Sequence, residues 1–189
     1  MARDDAVRVF FSYFPASFIA TTLLVSGVSH LAKPADFTSL VRSHGVFPSW
    51  ASGLIAITVA LFELAVGALA VLTLGLKMSF AMQATTFVAA AGAGIAFWLY
   101  LRRLLSNPGG TTKCGCSPLS APLTKASQAP SIALIIVAAI GLLDVATTSS
   151  GSRTSGLEGV LPSLWGMTVS GMTLLYPAAV LQFTFRSDA

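Results

Sequence analysis

Residues 51–74 read ASGLIAITVALFELAVGALAVLTL, an apolar run interrupted by a single ionisable side chain, Glu63. A helix needs roughly 20 apolar residues to cross about 30 Å of hydrocarbon, so this stretch is long enough to span a bilayer. Four further stretches of similar character lie at 10–31, 79–101, 130–148 and 161–185. With 54% hydrophobic and 10% charged residues and a mean hydropathy of +0.80, the chain lies far from the roughly 25% charged content of soluble domains. These features predict an all-α, polytopic membrane helix bundle with a four-helix core and a fifth C-terminal transmembrane helix. Residues 1–148 form the core in this reading, and 149–189 form a connecting loop and the additional helix. The first stretch follows Arg3 and Arg8 as a signal peptide would, but its apolar run is too long for that and reads as a retained helix.

The third stretch contains Ala89-Ala90-Ala91-Gly92-Ala93-Gly94. Small residues four apart let helix backbones approach closely, which predicts that this helix sits inside the bundle. Glu63 lies near the centre of its span, where insertion of an ionisable residue costs about 2.5–3.5 kcal/mol. It is therefore expected to face the bundle interior, either relaying a proton or binding a quinone-like or cationic group, or serving only as a hydrogen-bonded strut between helices. Asp144 falls nearer a helix end and reads as interfacial.

Strict alternation of spans places the connections at 33–50 and 102–129 on one membrane face. His30, Lys33, Arg42 and His44 then share a face with Arg102, Arg103, Lys113, Cys114, Cys116 and Lys125. That face collects seven of the eleven basic residues, Arg186 included, against Arg3, Arg8, Lys77 and Arg153 opposite. Such a bias points the face to the cytoplasm, whereas a stable disulfide would need an oxidising compartment, and the two arguments conflict. The segment from Pro34 reads as a short interfacial helix with proline at its start. His30 and His44 read first as surface or capping residues, with a second role as neighbours able to lower a thiol pKa or to complete a metal site. A net charge of +4 gives no case for nucleic-acid binding, because Lys and Arg here flank spans. The expected surroundings are membrane lipid.

Both cysteines of the chain sit in Lys113-Cys114-Gly115-Cys116-Ser117. The thiolate is the reactive form, Lys113 favours it, and Gly115 allows the tight turn that brings two sulfurs together. Two cysteines with no local histidine are too few for a structural zinc centre, so no metal site is assigned. No cofactor is named by the sequence.

Taken in order, Ser26-Gly-Val-Ser-His-Leu-Ala-Lys33-Pro-Ala-Asp-Phe37, Val46-Phe-Pro48, Phe62-Glu63-Leu64 with Gly67, and Cys114-Gly115-Cys116 after a basic helix end resemble the MauE and DoxX-like membrane proteins, over roughly residues 10–148. The resemblance implies a four-helix membrane bundle associated with redox handling, located in the cell membrane as a multi-pass protein. It implies a link to maturation of methylamine dehydrogenase alongside a thioredoxin-like partner, and it carries the Cys-Gly-Cys positions over to Cys114 and Cys116 and the buried acid to Glu63. The leading expectation is support of thiol–disulfide exchange or maturation of a redox protein, with Cys114 and Cys116 reacting and Lys113, Glu63, His30 and His44 in support. One alternative is a non-catalytic accessory or assembly subunit of a larger, respiratory-type membrane complex, for which the fifth helix would serve docking. Another is soft-metal handling, since two thiolates suit Cu(I).

Overall fold

The computed structural model describes the backbone of residues 2–75, 78–106 and 125–147, and side chains from Tyr13 onward except at 75 and 126. Lys113, Cys114, Cys116 and the stretches at 148–160 and 161–185 lie outside the described residues, and so does the fifth transmembrane helix expected from the sequence. Among the described residues every regular element is helical: α1 (Ala2–Ala32), α2 (Pro34–Ser43), α3 (Ser52–Gly75), α4 (Phe80–Ser106) and, after a 3-10 turn at Lys125–Gln128, α5 (Ala129–Thr147). Four of these, α1 over Tyr13–Ala32, α3, α4 and α5, are long and apolar enough to cross a membrane.

The break between α1 and α2 is local chemistry. Lys33 leaves the helical region at φ −136° and ψ 65°, Pro34 follows without an N–H to continue α1, and the Lys33 carbonyl accepts from Phe37 N at 3.1 Å to begin α2. At the far end of α2, Gly45 takes a left-handed φ of 63° while its N–H bonds Arg42 O at 3.1 Å, which closes the helix and turns the chain back toward α3. The short interfacial helix expected from Pro34 is present. The third apolar stretch forms a helix longer than its apolar run, because Arg102 and Arg103 continue α4, with the Arg102 guanidinium 5.3 Å from the Trp98 ring centre one turn back.

Two close-packed helix pairs make the bundle. In the α1/α3 pair, a Cβ added at Gly27 would lie 2.9 Å from Leu64 Cγ and 3.0 Å from Ala60 O, and one at Gly67 would lie 2.9 Å from Leu24 Cγ. In the α4/α5 pair, a Cβ at Gly94 would lie 2.8 Å from Ile135 Cγ1 and 3.0 Å from Ser131 O, while Gly141 rests on the Phe87 ring. Lipid tails give no hydrophobic drive between helices, so such backbone approach is what holds the pairs. Phe18, Ile19 and Leu23 of α1 join the pairs through a core that includes Val66, Phe87, Leu134 and Val137. The ring closes with a looser contact between α3 and α4. Val28, Leu54, Val88, Ile136 and Leu143 are exposed and face outward, as a hydrocarbon solvent requires.

The expectation that the third span is the interior helix needs correction. Across its span 56% of α1 is buried, against 33% in each of α3, α4 and α5. Small residues let α4 approach α5 through Ala90 and Gly94, but Val88, Ile95 and Leu99 on its other side are exposed, so close approach occurs on one face only. The same-face expectation holds among the described residues: the turn after α2 packs on the Tyr100 end of α4, and the 3-10 turn at Lys125–Gln128 packs against α4 and α5.

Candidate functional site

Glu63 lies midway along α3 and is 1% exposed. It is held by a hydroxyl and faced by an imidazole, both from α1. Ser26 Oγ donates to Glu63 Oε1 at 2.9 Å, and Ser26 and His30, one helical turn apart, meet through Oγ and Nε2 at 3.2 Å. His30 Nε2 is also 3.6 Å from Glu63 Oε2. A hydroxyl has one proton to donate, so a Ser26 that donates to Glu63 accepts from His30, which places the imidazole proton on Nε2. The His30 ring is fixed from outside by Phe37 of α2, stacked with centroids 3.6 Å apart and planes within 9°. The reading of His30 as a surface or capping residue is therefore corrected: it is 7% exposed, because α2 folds back over the end of α1 and covers it.

Glu63 Oε2 has no hydrogen-bond partner among the described residues. The residue lines a small cavity of about 40 Å³, to which all four spanning helices contribute, with Thr22, Ser26, His30 and Ser131 as its other polar residues. A cavity above roughly 10–15 Å³ with several polar partners can hold water, and this one meets both conditions. Ser26 thus holds one oxygen of the acid, while the other is buried with no hydrogen-bond partner among the described residues.

His30 and Phe97 also form part of the wall of a much larger cleft, of about 380 Å³, between α2, α3 and α4. This space opens beside the looser α3–α4 contact. Its lining is mostly apolar. At its rim His44 Nδ1 lies 2.5 Å from Tyr100 Oη, and Tyr100 stacks on Phe47 with centroids 6.0 Å apart. His44 is thus tied to α4, away from the His30–Glu63 pair, and among the described residues no group of three or more His, Cys, Asp or Glu side chains is placed to hold a metal ion.

Of the residues expected from the sequence, the structure brings His30 and Glu63 together and lines the large cleft with His30 and His44. Ser26, Phe97 and Tyr100 were missed. The signal for Ser26 was its spacing of four from His30 on a helix face that also carries Gly27, the close-approach residue.

Residues 8–144 match the family model described as methylamine utilisation protein MauE. The chain belongs to the MauE family. The match takes in α1 to α5 nearly to the end of α5, and with four membrane-crossing helices it makes this MauE-family chain a multi-pass membrane protein in contact with lipid. No curated protein and no solved structure matches it.

Proposed function

We propose that this MauE-family protein supports thiol–disulfide exchange or maturation of a redox protein through Cys114 and Cys116. The observation that carries the reading is that the only two cysteines in 189 residues stand one residue apart, beside Lys113, within the family match. The flanks of that segment, the end of α4 and the 3-10 turn at Lys125–Gln128, both lie at the end of the bundle that holds His44 and Tyr100. In the exchange, one thiolate attacks a disulfide sulfur of the partner and releases the other partner sulfur as a thiolate. The second cysteine then attacks the mixed disulfide, giving a Cys114–Cys116 disulfide and a partner dithiol, and the reverse sequence oxidises the partner. A thioredoxin-like protein or a disulfide-rich redox enzyme fits as partner. Residues 1–148 act as the working core, and 149–189 provide an added helix suited to docking.

An alkylation-shift titration across glutathione potentials tests this. The two thiols are expected to titrate as one two-electron couple, and Cys116→Ser is expected to trap a mixed disulfide on Cys114. If both thiols stay reduced under oxidising conditions while the double serine variant still supports maturation of the redox partners, the accessory-subunit reading replaces this one.

A further inference from the structure

We infer that the cleft between α2, α3 and α4 binds the planar head of a lipid-soluble quinone, with the His30–Ser26–Glu63 chain as its proton path. The volume, about 380 Å³, falls in the range of small-molecule sites, roughly 300–1,000 Å³. Its walls carry five aromatic rings, Phe37, Phe47, Phe62, Phe97 and Tyr100, which suit a flat conjugated ring better than a flexible acyl chain. Phe62 lines the cleft and is 44% exposed, which leaves a molecule dissolved in the bilayer a way in past it.

The polar part of the cleft distinguishes it from a lipid groove. His30 borders the cleft while its Nε2 faces Ser26 and Glu63, so the imidazole stands between a ligand and a buried acid. An imidazole passes a proton by gaining it on one nitrogen and releasing it from the other. A quinol O–H at the cleft face of His30 can thus deliver its proton toward Glu63, which lines the small cavity and whose Oε2 has no hydrogen-bond partner among the described residues. The reverse direction protonates a reduced quinone. Quinone reduction takes up two electrons and two protons, and oxidation of a dithiol to a disulfide releases two of each, so dithiol plus quinone gives disulfide plus quinol without a further reactant. The binding site stands on the cleft geometry, and for its electron donor this inference rests on the thiol-exchange reading.

The test uses the full chain in phosphatidylcholine nanodiscs and an azidoquinone photoprobe, with decylubiquinone and oleate as competitors. Labelling is expected within α2, α3 and α4, displaced by decylubiquinone and not by oleate. A Cβ at Gly92 meets nothing within 4 Å, so Gly92→Phe can fill the cleft without striking the backbone, and it is expected to cut labelling at least about tenfold at unchanged melting temperature. Ala96→Phe, on the same wall, serves if Gly92→Phe does not fold. Labelling that survives both substitutions, that oleate displaces equally, or that never occurs overturns the quinone site. The same measurement on the Cys114→Ser/Cys116→Ser double variant separates the two readings. Labelling is expected to persist there, thiol inactivity with labelling intact defeats only the exchange, and missing labelling with active thiols defeats only the quinone site.

Discussion

His30 Nε2 lies 3.6 Å from Glu63 Oε2, although the two residues come from different helices and are separated by a whole turn-helix-turn segment of chain. The pair meets because Gly27 and Gly67 bring α1 and α3 to backbone contact on either side of it. Its hydrogen-bonded side is Ser26, its outer cover is Phe37, and both residues line the small cavity.

Replacing Glu63 separates shape from charge. Glu63→Gln keeps a carbonyl to accept from Ser26 but puts an amide N–H₂ where the second oxygen has no hydrogen-bond partner among the described residues, and it is expected to cost about 1 kcal/mol, the low end for a buried unpaired donor. Glu63→Lys puts a cation opposite His30 with no anion nearby and is expected to cost at least about 3 kcal/mol. Thermal unfolding of the two purified variants in detergent reports the difference, and equal melting temperatures would contradict the burial.

Glycine positions should divide by what faces them. At Gly67 an added methyl meets Leu24 Cγ at 2.9 Å and its backbone N at 3.1 Å, so Gly67→Ala is expected to destabilise by about 1–3 kcal/mol. At Gly92 nothing is in reach, and Gly92→Ala is expected to stabilise by about 0.5–1 kcal/mol through helix propensity alone. Opposite shifts of melting temperature confirm the α1/α3 contact.

Tyr100→Phe tests the tether of the turn after α2. The ring that stacks on Phe47 remains while the hydroxyl that meets His44 is lost, so stability should fall by about 0.5–1.5 kcal/mol. Amide hydrogen exchange at 44–50 should quicken while exchange in α1 and α3 stays unchanged. Uniform acceleration across the bundle would mean that Tyr100 does more than hold this turn.

Membrane sidedness follows from the alternation of spans. In a Cys114→Ser/Cys116→Ser background, Ser43→Cys and Ser120→Cys should react with an impermeant maleimide from the same side, and Ser79→Cys, between α3 and α4, from the other. Labelling of residues 43 and 120 from opposite sides would break the topology.

The apolar runs by themselves determined that this is a membrane protein, where its four core helices lie, and that Glu63 must turn inward. Hydrocarbon leaves a backbone and a central acid few alternatives, so these conclusions need only segment length and residue type. Pro34 likewise marked the start of α2, since a proline stops one helix and begins the next without outside help. What faces Glu63 was not legible. His30 sits near the end of its helix, where a sequence suggests a cap, and only the fold of α2 back across α1 turns it into a buried partner of the acid. The small-residue run in α4 showed that some helix comes close but not which one, because spacing fixes a face and tertiary packing chooses its neighbour. The cleft was equally hidden: it exists where α3 and α4 fail to close, and a gap between helices is a property of how they are arranged, which no single segment encodes.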